Sequence, residues 1–203
     1  TMRKIEKRSI FCLILAALLG LGLAFFCFQF VVDGGDWASY PYNRHLYNNS
    51  GQLKGGTILD RDGDMLSTLD EDGNRIYNDD AAVRRATLHA VGDKNGNIGA
   101  GALTSFADKL SGYNLLTGVY SPLGTGNSLY LTIDAYLNNV AYQALNGMNG
   151  TVGVYNYKTG EILCMVSTPT FDPANPPDIA ADDPAWDGVY VNRLLSANSI
   201  PGS

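Results

Sequence analysis

Cysteine is scarce and badly placed for cross-linking. Cys12 and Cys27 lie inside one apolar run, where small apolar fillers are expected, and Cys164 is the only other one. No intramolecular disulfide is therefore available outside that run, and the fold there must stand on packing alone. Charge is sparse too: charged side chains make up 17% of the 203 residues, below the roughly 25% of ordinary soluble domains. The start of the chain is the one locally basic stretch. Arg3, Lys4, Lys7 and Arg8 against Glu6 give the first eight residues a net +3, which leaves the remainder at −9 out of the overall −6. An acidic body without a basic patch repels phosphate backbones, so nucleic acid is excluded as a partner. His45 and His89 are isolated, with no Cys or acidic residue at ligand spacing, so no metal site and no cofactor are expected. No repeat of fixed period and no low-complexity tract is present, which excludes solenoids and coiled coils.

What is present begins with a long apolar stretch. From Ser9 to Val32 there are 24 residues without an ionisable side chain. As a helix they span about 36 Å, enough for a hydrocarbon core of about 30 Å. A cleaved leader has a shorter apolar region and a small-x-small site, and Phe28–Val32 offers none. The run therefore reads as a single-pass anchor, with the basic N-terminus in the cytoplasm and the rest extracytoplasmic.

Asp33 to about Lys54 reads as an irregular juxtamembrane segment in which Trp37, Tyr40, Tyr42 and Tyr47 suit the headgroup level. Gly56–Asp60 and Met65–Leu69 flank an Asp-Gly turn, the signature of a hairpin, and a second turn at Glu71–Asn74 precedes Arg75–Tyr77. Leu103, Phe106 and Leu110 predict a short helix closed by Ser111-Gly112. Leu129–Ile133 reads as a strand entering a helix capped by Asp134, with Leu137, Val140, Ala141, Ala144 and Leu145 as its apolar face and Gly147 as its stop. Two strands, Thr151–Tyr157 and Glu161–Ser167, surround a Lys158-Thr159-Gly160 turn, and the second, nearly all apolar, is expected to be covered on both faces. Pro169, Pro173, Pro176, Pro177 and Pro184 then exclude regular helix and predict a rigid surface loop. The fold class is α+β.

In order and spacing these blocks resemble the class B penicillin-binding proteins, the monofunctional DD-transpeptidases of bacterial wall synthesis. The resemblance is carried by the anchor and by Gly56–Leu66, similar to the family's opening hairpin, with Gly55-Gly56 where the family has arginine-glycine. It is carried further by Leu131–Asp134, Lys158–Leu163, Ser167–Pro173, Asn192-Arg193 and the terminal Pro201-Gly202-Ser203. It implies a tail and transmembrane anchor over 1–33, a juxtamembrane and pedestal region over 34–128, and the truncated start of an α/β transpeptidase domain over 129–203. It also implies that Ser203 is the catalytic nucleophile, acting on peptidoglycan stem peptides and trapped by β-lactam antibiotics. A serine hydroxyl needs a base, which Ser-x-x-Lys enzymes place one helical turn later. That lysine, the Ser-x-Asn motif and the downstream Lys-Thr-Gly motif do not occur in these 203 residues, so this stretch alone is expected to be inactive and to expose apolar strand surface. The location implied is the bacterial plasma membrane, with a membrane glycan polymerase as partner.

Two decoys are set aside. Lys158-Thr159-Gly160 precedes the serine and reads as a turn. Asp60, Asp62, Asp64 and Glu71 copy four calcium-loop positions, but Met65 stands where that loop needs glycine, so a solvated turn is expected. Two other functions fit part of the pattern: a Ser-x-x-Lys hydrolase or β-lactam sensor, and a non-catalytic anchored scaffold of a wall-synthesis complex.

Overall fold

The computed structural model describes residues 2–38, 55–112, 114, 116, 126–180 and 183–196. His45, Tyr40, Tyr42, Tyr47 and Ser203 lie outside the described residues.

Helix α1 runs Met2–Ala38. Its apolar side chains from Ile10 to Val32 face outward, the only favourable arrangement for such a surface being contact with lipid. It continues through Asp33–Ala38, where irregular chain was expected, since no proline interrupts its hydrogen bonds; it contacts the later helical turn Ala107–Leu110. Trp37 remains half exposed near its end.

Strands β1 (Thr57–Leu59), β2 (Met65–Leu69) and β3 (Arg75–Tyr77) form the two expected antiparallel hairpins. Asp60 is buried, contrary to the solvated turn expected. Its Oδ1 accepts from the amides of Asp62 and Asp64, both at 2.9 Å, and its Oδ2 from that of Ala135 at 3.2 Å. The carboxylate thus ties the hairpin to a later helix and has no oxygen free for a cation. Gly56 has φ +76, and a Cβ there would come within 2.5 Å of the Leu110 side chain. The guanidinium serving this hairpin comes from buried Arg75, which donates to the carbonyls of Gly56 at 2.7 Å and Gly55 at 2.5 Å.

Helix α2 (Ala81–Val91) was not anticipated. Asp80 caps it by accepting from the Ala82 amide at 2.8 Å. Its C-terminal turn lies against Gly101, where a Cβ would meet Gly92 Cα at 2.5 Å, so the close approach needs glycine at 101, while Gly92 is required by its positive φ of +100. The single helix expected over 103–110 is broken at Phe106 into α3 (Ala102–Ser105) and α4 (Ala107–Leu110).

Strand β4 (Ser128–Tyr130) is shorter than expected and pairs parallel with β1, completing a sheet of order β3-β2-β1-β4. Helix α5 (Ala135–Leu145) is capped by Asp134, which accepts from the Leu137 amide at 2.9 Å. It stops at Asn146, left-handed at φ 44, one residue before the expected glycine. Its buried side is Ala135, Asn138 and Ala141, whereas Val140 and Ala144 are exposed. The helix has turned so that a polar residue, Asn138, can bond the neighbouring strand.

Strands β5 (Gly150–Tyr155) and β6 (Ile162–Thr168) form the predicted hairpin. Cys164, Val166 and Ser167 are buried, and β6 contacts α2 and α5. Exposed apolar residues on the strands and the turn after β5 include Ile76 on β3, Tyr130 on β4, and Val154, Tyr155 and Tyr157. The proline-rich segment is less superficial than expected: Phe171, Asp172 and Pro173 are buried. A 3-10 turn at Pro184–Trp186 and helix α6 (Arg193–Ser196) follow. The main core draws Ile58, Leu66, Val91, Leu103, Leu110 and Ile133 from all along this path. The result is an α+β fold carrying one long apolar helix.

Candidate active site and its approach

Ser203 lies outside the described residues, so the geometry on view is that of the chain leading to it. That chain is a strap running from Thr168 to Ser196. Its buried apolar residues, Phe171 and Val189, close on Leu88 of α2 and on Ile98. Polar bonds fix the register. The Arg84 guanidinium grips Asp172 as a fork, Nε to Oδ1 and Nη2 to Oδ2, each at 2.7 Å. That guanidinium holds the Asp172 carboxyl below its ordinary range, and the carboxylate in turn pushes Arg84 up. The Thr170 hydroxyl donates to the Arg85 carbonyl at 2.8 Å. His89 Nε2 lies 2.8 Å from the Val189 carbonyl, so Nε2 carries the proton and the ring is a neutral donor; burial, chiefly, pulls its pKa down.

Arg193 closes the strap on its own beginning. Its amide donates to Ser167 Oγ at 3.0 Å, its Nε to the Thr168 carbonyl at 2.8 Å, and its Nη2 to the Asp187 carbonyl at 2.8 Å. The preceding Asn192 is buried and donates to the His89 carbonyl at 3.3 Å. Sequence reasoning singled out Asn192-Arg193 but missed Arg84, whose partner stands 88 residues away, beyond the reach of local pattern.

The decoys are structural. Lys158-Thr159-Gly160 is an exposed turn closed by the Gly160 amide on the Asn156 carbonyl at 2.7 Å. Among the described residues no group of three or more His, Cys, Asp and Glu side chains is placed to hold a metal ion. Burial pushes the Cys164 thiol up, which makes it a poor nucleophile. An apolar cleft of about 430 Å³ between α3, β4 and β6 is lined by Phe106, Leu129, Leu131, Ile162 and Met165 without a charged residue, so it offers no acid–base pair.

No family model matches the chain. Among curated proteins, a peptidoglycan D,D-transpeptidase MrdA from Acinetobacter baumannii is 48% identical over 84 residues, which are 38% of this chain and 12% of that relative. The MrdA of Haemophilus influenzae is 41% identical over 51 residues, 25% of this chain and 8% of the relative. Over these stretches the chain is similar to the class B penicillin-binding proteins. The matched stretch spans about an eighth of the longer alignment's relative and less of the other. Two solved structures are similar. One is Pseudomonas aeruginosa PBP2 in complex with WCK 5153, at TM-score 0.46 and 23% identity, covering 61% of this chain and 29% of that one. The other is the D,D-transpeptidase domain of a peptidoglycan glycosyltransferase from Eggerthella lenta, at TM-score 0.48 and 28% identity, covering 68% and 31%. The strap and its clamp on α2 are the last described structure before the segment that carries Ser203. The apolar α1, with the family likeness, makes the chain membrane-anchored.

Proposed function

We propose that the chain is the amino-terminal part of a peptidoglycan DD-transpeptidase with Ser203 as nucleophile. The observation that carries this reading is the 48% identity to a peptidoglycan D,D-transpeptidase over 84 residues. Residues 1–33 form the cytoplasmic tail and anchor, 34–128 a pedestal region, and 129–203 the opening of the transpeptidase domain. The Ser203 hydroxyl, deprotonated by a base from beyond residue 203, attacks the carbonyl of a D-Ala–D-Ala bond in a stem peptide. The C–N bond breaks, terminal D-Ala leaves with a proton on its amine, and an acyl ester remains on Ser203 Oγ. An amine of a neighbouring strand then attacks that ester and frees the serine. A β-lactam acylates the same oxygen and stays. The basic tail keeps the N-terminus in the cytoplasm and puts the strap on the outer side, where a membrane glycan polymerase supplies new strands. Residues 1–203 alone are inert, since they hold no base for Ser203.

The test is labelling by a fluorescent penicillin of the protein expressed from the uninterrupted gene. A lasting label on the wild type, none on Ser203→Ala and none on residues 1–203 alone are expected. Label retained by Ser203→Ala, or rapid hydrolysis of the label, would overturn the assignment.

A further inference from the structure

Helix α2 belongs in sequence to the membrane-proximal region, yet one side of it is devoted to the strap. The bonds between them run in register. Arg84 meets Asp172, the Arg85 carbonyl meets Thr170, the His89 ring meets Val189, and the His89 carbonyl meets Asn192. Arg84 is held from both sides. Besides the fork on Asp172, its Nη1 donates to the carbonyls of Asn78 and Asp79, each at 2.8 Å, in the connection between β3 and α2. Asp172 also accepts from the Ala174 amide at 3.0 Å, so the carboxylate is fixed within the strap as Arg84 is fixed to the connection before α2.

The strap has other closures besides this ion pair. Arg193 already closes it, and Phe171 and Val189 already seat it in a hydrophobic cluster. What the Arg84 fork adds is direction: a planar, two-point contact fixes orientation as well as distance. The structure closed by Arg193 leads straight into α6, which ends seven residues before Ser203.

We propose that Arg84 is a positioning residue for acyl transfer, holding the strap on α2 through Asp172 and so fixing where the chain departs toward Ser203. The proposal rests on the reading of Ser203 as nucleophile and goes beyond it: the membrane-proximal region would then supply a residue to the reaction's geometry as well as raising the catalytic part off the membrane.

The experiment uses the full-length protein in detergent with a fluorescent penicillin, resolving the noncovalent dissociation constant from the acylation rate constant by stopped flow. The variants are Arg84→Lys, which keeps charge but loses the fork, Arg84→Gln, Asp172→Asn and the double Arg84→Gln/Asp172→Asn. The acylation rate constant is expected to fall about tenfold or more in each, as displacements on the ångström scale do, with the dissociation constant unchanged. The double variant is expected to lose no more than the worse single one, and amide exchange over residues 187–196 to quicken while that of β5 stays as it was. If Arg84→Gln fails to fold, Arg84→Lys carries the same comparison. Variants that acylate at the wild-type rate, or whose loss matches a smaller labelled fraction at completion, would overturn the positioning role alone. A wild type that takes no label would remove the functional reading and this one with it.

Discussion

Asn138 shows what a single side chain settles in this fold. It is fully buried on α5, where its Nδ2 donates to the Asp134 carbonyl at 2.7 Å and reaches the Leu163 carbonyl at 3.4 Å, while its Oδ1 accepts from the Met165 amide at 3.0 Å. One amide thereby docks the helix on β6. Replacing it with alanine leaves the Met165 amide buried without a partner, a cost of about 2 kcal/mol. Thermal unfolding of Asn138→Ala should show that loss, while Asn139→Ala, one residue on and less buried, should change little. Equal midpoints for the two would mean the docking bond is dispensable. Asp60 behaves similarly, bonding the amide of Ala135. Both residues were visible in the sequence as polar letters in apolar surroundings or turns. Their partners lie 27 and 75 residues away, a distance that local pattern cannot bridge. Ser203 was legible only through resemblance, for nothing in its local chemistry marks it.

Elements were legible where the period or the turn was local. The Asp-Gly hairpin, the capped α5 and the β5–β6 hairpin all follow from residues within a few positions of one another. Helix α2 was not, because its buried surface from Ala86 to Val91 includes Thr87 and His89, and polar residues on a buried face erase the amphipathic period. They are tolerated because the Thr87 hydroxyl bonds the Val83 carbonyl at 2.8 Å and the strap takes the His89 ring. This has a pH consequence. Burial first, and the Arg193 charge facing the ring from the strap, outweigh the Val189 contact and set the folded pKa of His89 below its ordinary 6.5. Its neutral form is the one that fits. The associated stability is thus fully present above pH 6.5 and is lost as the pH falls from there through the folded value. Asp172, held by Arg84, titrates below its ordinary 3.8. The unfolding midpoint should therefore drop on acidification from pH 7 toward 5, and His89→Gln should flatten that part of the profile. An unchanged slope in the variant would assign the acid sensitivity elsewhere.

For the whole molecule the decisive asymmetry is electrical. A net +3 lies on the eight residues before the apolar run Ser9–Val32 and −9 on everything after it. The helix itself was the most legible feature of the chain, because lipid imposes a length and an exclusion of charge that no folded context overrides. Its lower limit was misjudged by a few residues, since Asp33–Ala38 stays helical where the apolar run has ended. If the basic tail sets the orientation, reversing it should disturb insertion while leaving the fold beyond α1 alone. The variant Arg3→Glu/Lys4→Glu/Lys7→Glu/Arg8→Glu gives the first eight residues a net −5 and removes the cytoplasmic retention signal. In spheroplasts exposed to external protease, a tag placed after Ser203 should be cut completely in the wild type and shielded in a sizeable fraction of the variant. Complete cutting in both would leave the orientation to some other determinant. Shielding of the wild type would put the strap in the cytoplasm, where no stem peptide could reach it, and the transpeptidase reading would fall with the orientation.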